Sequence, residues 1–179
     1  QTAGSMLTAQ QPENNIARVT IHALAAILGG TQSLHTNSMD EALALPSEKS
    51  ALIALRTQQI LANESGITET VDPLGGSYYI ESLTSELIKR AQRYIDEVDK
   101  IGGALKAIEI GYFQKEIQNA AYEYQKDIQS KKRIVVGVNQ YYSESTETAN
   151  VLKVNPELET LQIAFLNSIR SRRNSGHVE

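Results

Sequence analysis

The chain has 179 residues, a formal charge of -4 and no cysteine, with 41% hydrophobic but only 6% aromatic residues and no tryptophan. Such a chain can bury a core, yet it lacks the basic surface and aromatic platforms that hold nucleic acid. Without thiols it can form no disulfide, thiolate metal site or cysteine nucleophile. No apolar run reaches the roughly 20 residues needed to span a bilayer and no leader is legible, so a cytoplasmic protein is expected.

Residues 1–8, Gln-Thr-Ala-Gly-Ser-Met-Leu-Thr, are small and polar, and Gly4 would let a backbone or ligand come close where a strand ends. A helix follows, with Pro12 in its first turn, Asn14 and Asn15 near its cap, and Ile16, Val19, Ala23, Ala26 and Ile27 on one face. Gly29-Gly30 stops it. His22 falls inside this helix and reads as a filler, because no acid or second histidine stands at metal-ligand spacing. Residues 31–36 then read as a strand, and 48–63 as a second helix with Leu52, Leu55, Gln59 and Ile60 on one side. This alternation is the rhythm of an α/β fold with parallel strands.

Asp72-Pro73-Leu74-Gly75-Gly76-Ser77-Tyr78-Tyr79 is a turn cluster, without the lysine of a P-loop or the glycine spacing of a dinucleotide loop. Residues 83–101 predict a long amphipathic helix with Leu87, Ile88, Ala91, Ile95 and Val98 inward, followed by helices over 104–110 and 114–129. Tyr122 and Tyr124 are expected to pack. The β-branched run 134–138 predicts a short buried strand after the basic Lys131, Lys132 and Arg133. Composition changes at Gln140, and 141–148 is rich in Ser, Thr and Glu without apolar period, which marks a linker. Pro156 opens a last helix whose Leu158, Leu161, Ile163, Phe165 and Ile169 need a partner surface, and the terminal residues are expected to fray. Three units result: 1–139, a linker over 140–155, and a terminal helix within 156–179 that packs on the main unit or on a partner.

His22, His35 and His177 are the three histidines, and none sits in a nucleophile-elbow pattern. The polar run after His35 is richer, with donors in Asn37 and Ser38 and acceptors in Asp40 and Glu41. Such an inventory can grip a hydroxylated ligand, and Glu41 is its sharpest candidate. The plainer alternative is that Asn37, Ser38 and Asp40 cap the next helix while Glu41 complements its dipole, an effect of about 0.3–1 kcal/mol.

Several motifs in one order resemble the methylmalonyl-CoA mutase family of acyl-CoA mutases. They are Gln-Thr-Ala-Gly at the start, Asn14-Asn15 with Arg18, Gly29-Gly30-Thr31-Gln32-Ser33-Leu34-His35-Thr36-Asn37, Asp40-Glu41-Ala42, Asp72-Pro73 with Gly75-Gly76-Ser77-Tyr78, and Val136-Gly137-Val138-Asn139. The resemblance implies the closing units of a TIM-type (β/α)8 barrel with wrapping helices. It implies adenosylcobalamin as cofactor, bound jointly with a cobalamin-binding domain, and radical rearrangement of an acyl-CoA. It places Gln1 and Glu41 on the adenosyl group, with Glu41 on the ribose; Gly4, Ala42 and Leu45 on the corrin side; and Gln32, Ser33 and His35 towards the acyl-CoA. His35, Thr36 and Asn37 are expected to orient other groups. No catalytic or metal-ligating residue is assigned.

Three features depart from the family pattern. The chain has no Asp-x-His-x-x-Gly, no Arg-rich ending in 111–132, and Glu13 where an aromatic is usual. The expected partners are therefore an N-terminal barrel part and a cobalamin-binding domain or subunit, in an oligomer inactive as this chain alone. The acyl group stays open, and the alternative is an assembly module derived from a mutase barrel.

Overall fold

The computed structural model describes residues 1–143, 151–174 and 176. After a 3₁₀ turn at Gly4–Met6, the chain forms helix α1 (Asn14–Leu28), in which Asn15, Val19 and Ala23 are buried at a spacing of four. This narrow stripe meets helix α2 (Glu48–Glu64), whose Ser50, Ala54, Thr57 and Leu61 are buried. Ala23 and Ala54 at the contact let the two backbones approach closely, with exposures of 0% and 7%. α1 ends at Leu28, and beyond its Gly29 cap the chain turns away at Gly30, φ +76°, a left-handed position that glycine adopts without strain. A second 3₁₀ turn, Ile67–Glu69, lies against both α1 and α2.

The remaining helices form a looser layer. Helix α3 (Tyr78–Ile101) begins earlier than the apolar period suggests, at the Ser77 cap that directly follows the 72–76 turn. Glycines at 102 and 111, both at positive φ, turn the chain into α4 (Ala104–Glu109) and α5 (Tyr112–Gln129). α4 packs between α3 and α5 through the fully buried Ala107. The face of α3 expected to point inward stays open, with Leu87 58%, Ile88 64% and Ile95 53% exposed. Tyr122 and Tyr124 do not pack into a core either; Arg133 lies 5.0 Å over the Tyr124 ring instead. Helix α6 (Glu157–Arg172) has no buried residue. No helix among the described residues is long and apolar enough to cross a membrane.

The expected α/β class is overturned: the described residues form helices and contain no strand or sheet, so they do not make the closing units of a (β/α)8 barrel. The reason is that a strand exists by its pairing. Segment 31–36 is extended, but one backbone hydrogen bond, from Thr2 N to His35 O at 3.0 Å, is its whole resemblance to a ladder. Helix α2 holds it instead, with Gln58 Nε2 donating to Leu34 O (3.2 Å) and Thr36 Oγ1 donating to the backbone carbonyl of Ala54 (2.8 Å).

Residues 134–138 also differ from expectation. They are not a strand, and their apolar side chains are not buried, with Ile134 42% and Val136 45% exposed, although Gly137 itself is buried. Gly137, at φ +80°, reverses the chain, and Val136 and Gln140 form one isolated bridge. Asn139 holds this turn from within, accepting from Val135 N at 2.7 Å and donating to Ile128 O at 2.9 Å. Residues 144–150 of the expected linker, and His177, lie outside the described residues.

The close approach of α1 and α2 gives a direct check. Ala23→Leu should overfill the contact and lower stability by about 1–3 kcal/mol, read from the urea midpoint. Ile21→Ala, at a side chain 65% exposed, should move that midpoint far less.

Candidate functional site

The polar run 36–41 closes over the α1–α2 contact. Thr36, Asn37, Ser38 and Asp40 are 3–4% exposed, an unusual burial for four polar residues within five positions and one explained by their bonds. Thr2 Oγ1 donates to Asn37 Oδ1 at 2.5 Å and accepts from Asn37 N at 3.0 Å. Asn37 Nδ2 in turn donates to Glu41 Oε2, and Ser38 N to Glu41 Oε1, each at 2.6 Å. Both carboxylate oxygens of the half-buried Glu41 are thus pinned on one side, and each retains lone-pair capacity for a further donor.

Asp40 does different work. Its Oδ2 accepts from Ser47 N at 3.0 Å and from Ser50 Oγ at 2.7 Å, bracing the first turn of α2. Burial is the largest single influence on this carboxyl and pushes its pKa up. The Ser47 backbone and the Ser50 and Ser47 hydroxyls together outweigh it and hold the group below its ordinary 3.8. The other oxygen, Oδ1, is buried and without a hydrogen-bond partner among the described residues. The N-cap of α2 is Ser47, which accepts from Ser50 N, so Asn37 and Ser38 are not its caps. Nor does Glu41 sit in a first helical turn, since α2 begins at Glu48.

Asn15, on α1, locks the run in place. Its Nδ2 donates to Thr8 O (2.9 Å) and Met39 O (2.8 Å), while its Oδ1 accepts from Thr8 N (3.1 Å) and Arg18 Nη1 (2.8 Å). A side-chain amide has two donors and two acceptor directions, and here all are used. Local sequence pattern marks neither Thr2 nor Ser50, and it places Asn15 near a helix cap. A signal existed for Asn15, a polar residue in register with Val19 and Ala23.

The structure brings together part of the expected site. Gly4 abuts Asn37, since a Cβ at Gly4 would stand 3.4 Å from Asn37 Nδ2, and Gln1 is the covalent neighbour of Thr2. Gly4 and Glu41 therefore both meet Asn37, the partner of Thr2, whereas Gln1 is exposed and near this pair only through the chain. Ala42 and Leu45 follow Glu41 on exposed turns, Leu45 at 61%. Gln32, Ser33 and His35 are exposed, and among the described residues no side-chain hydrogen bond joins them to the Glu41 cluster.

On the far side of Ala42, a cavity of about 660 Å³ opens between α1, α5 and the 134–138 turn. It is walled by Met6, Ile21, Ile128 and Val136, with His22 at its edge. Among the described residues, the buried His22 Nδ1 has no hydrogen-bond partner. No group of His, Asp and Glu that could hold a metal ion occurs among the described residues.

The methylmalonyl-CoA mutase family model matches residues 1–179. The chain belongs to this family. It is 49% identical over 179 residues to the methylmalonyl-CoA mutase of Escherichia coli (strain K12), covering 99% of the chain and 25% of that protein. It is 46% identical over 180 residues to the mitochondrial methylmalonyl-CoA mutase of Bos taurus, covering 100% and 24%. The large subunit of 2-hydroxyisobutanoyl-CoA mutase from Aquincola tertiaricarbonis is 43% identical over 182 residues, covering 100% and 32%. The chain thus spans about a quarter to a third of the length of these relatives.

In this member of the family, Asp40 makes a pH dependence. Its depressed pKa means that the stabilisation is present above the unfolded value and is lost as pH falls through the folded value. Ser50→Ala removes a buried donor and should cost about 1–3 kcal/mol at neutral pH, with a smaller penalty once Asp40 is protonated. Urea midpoints for the parent and the variant, taken from pH 7 down to below pH 3.8, should therefore converge; a constant gap would separate Ser50 from this carboxylate.

Proposed function

We propose that this chain supplies the adenosyl-gripping part of an adenosylcobalamin-dependent acyl-CoA mutase, with Glu41 accepting hydrogen bonds from the ribose hydroxyls. The single observation that carries this reading is the state of the Glu41 carboxylate. Asn37 and Ser38 fix its orientation at 2.6 Å while leaving lone pairs on both oxygens, so two vicinal hydroxyls find acceptors already in place.

The residues fit the rest of the group by their chemistry. Gly4 and Ala42 are small and exposed and Leu45 is apolar and exposed, which suits a flat ring that must come close to the backbone. Gln1, beside Thr2, offers an amide to the adenosyl end. Gln32, Ser33 and His35 lie exposed along the extended segment that leads to the Glu41 cluster, and we assign them to the acyl-CoA. When bound, adenosylcobalamin supplies the radical chemistry that rearranges the acyl skeleton. The residues here bind, orient and shield, and no proton transfer is assigned to them.

The chain then works with further polypeptide, including a cobalamin-binding domain joined through 140–155, and is inactive without it. The open apolar faces of α3 and α6 support such dependence, because side chains like Ile88 and Leu161, each 64% exposed, gain by being covered. Those same faces would serve an assembly module that has kept a mutase sequence, within the cytoplasm in either case. Ligand discrimination separates the two roles.

Adenosine and 2′,3′-dideoxyadenosine, compared by calorimetric titration, test the ribose contact without altering the protein. Adenosine should bind at least about tenfold more tightly, as expected for hydrogen bonds to a charged acceptor, and Glu41→Gln should abolish the difference. Equal affinity of the parent for both nucleosides would remove Glu41 from the ribose and favour the assembly role.

A further inference from the structure

The motif Val136-Gly137-Val138-Asn139 is far from Glu41 in sequence and takes no part in the proposed ligand contacts, yet its turn is docked on the start of α1. Arg18 Nη2 donates to Val136 O at 2.7 Å, and Gln11 Nε2 donates to Tyr141 O at 3.2 Å. Gly137 is buried, and a Cβ added there would stand 2.9 Å from Gln11 Oε1, which is itself engaged by Asn14 Nδ2 at 2.8 Å. The turn therefore presses on side chains that are already fixed.

Arg18 is where this docking reaches the site. Its other terminal nitrogen, Nη1, donates to Thr8 Oγ1 (2.9 Å) and to Asn15 Oδ1 (2.8 Å). Asn15, in turn, holds Met39 O. Two residues beyond Met39 stands Glu41, whose carboxylate accepts from Ser38 N. A continuous chain of hydrogen bonds thus runs from Val136 O through Arg18 and Asn15 to the backbone that sets the carboxylate. The planar guanidinium fork serves three acceptors at once, which a lysine ammonium on a flexible stem is poorly shaped to do.

We infer that Arg18 is a positioning residue that couples the docking of the 135–140 turn to the orientation of the Glu41 carboxylate. The inference rests on the ribose reading of Glu41 for its consequence in binding, though not for the coupling itself. Loss of Arg18 leaves Asn15 Oδ1 with one donor fewer and releases Val136 O, so the 37–41 loop samples other arrangements.

The test combines two readouts on the intact protein: exchange of the Ser38 amide proton by NMR, and the preference for adenosine over 2′,3′-dideoxyadenosine. Arg18→Met should speed Ser38 exchange by roughly tenfold and reduce the nucleoside preference by a similar factor, the scale of one lost hydrogen bond to a charged group. Arg18→Lys should restore the melting temperature without restoring either readout, and a lysine that restores both would overturn the coupling.

Gly137→Ala approaches from the opposite end. It should raise Ser38 exchange although it touches no atom of the 37–41 loop, and combining it with Arg18→Met should add little to the larger single effect. Independent, additive effects would overturn the inference even if Arg18→Met proved too unstable to study. If Ser38 exchange responds as expected while the parent shows no nucleoside preference, the coupling stands and the ribose contact falls.

Discussion

The saturated amide of Asn15 is the constraint on which the arrangement depends. It is sealed from solvent and joins three stretches of chain, at Thr8, on α1 and at Met39, that no backbone ladder connects. A buried amide with all its bonds made costs little to desolvate, whereas the same group with one bond missing is a liability of about 1–3 kcal/mol. The segments are therefore specified jointly.

From this point the carboxylate geometry follows. Met39 is fixed by Asn15, Asp40 is fixed by the start of α2, and Asn37 is fixed by Thr2, so Glu41 emerges from a loop anchored on both sides. Its two 2.6 Å bonds use one lone-pair direction on each oxygen and leave the others open. A carboxylate held in this way has lost its rotamer freedom before any ligand arrives, which is the physical content of preorganisation. The neighbouring acid, Asp40, has the same chemistry and a structural duty, because its Oδ2 is spent on Ser47 and Ser50 and its Oδ1 is sealed from solvent.

The molecule is uneven in its packing. Between α1 and α2 the contact is tight, built from alanines and hydrogen-bonded polar side chains, while α3, α5 and α6 have no buried residue. The short relative length of the chain fits this contrast: it matches its mutase relatives from end to end yet spans a quarter to a third of them. Apolar side chains that alternate with charges on α3 define a face, but a face becomes a core when something lies against it.

Local rules in the sequence determined the helices. The apolar period and the glycine stop of α1, the serine before α2, Gly102 after α3 and Pro156 before α6 each act within a few residues, and these elements formed near their expected bounds except for the start of α3, which lies at Tyr78 rather than at 83. The sequence also carried the family, through motifs spread along the chain. Tertiary structure decided the rest. Whether 31–36 and 134–138 become strands depends on a partner edge that their own residues cannot supply, and here helix α2 and a Gly137 turn took its place. Whether Asn15 is a cap or a staple, and which of Asp40 and Glu41 stays available to a ligand, depends on contacts such as Thr2 with Asn37 and Arg18 with Val136, which periodicity does not encode. Burial and hydrogen bonding are properties of neighbours in space, and those neighbours are set by the fold.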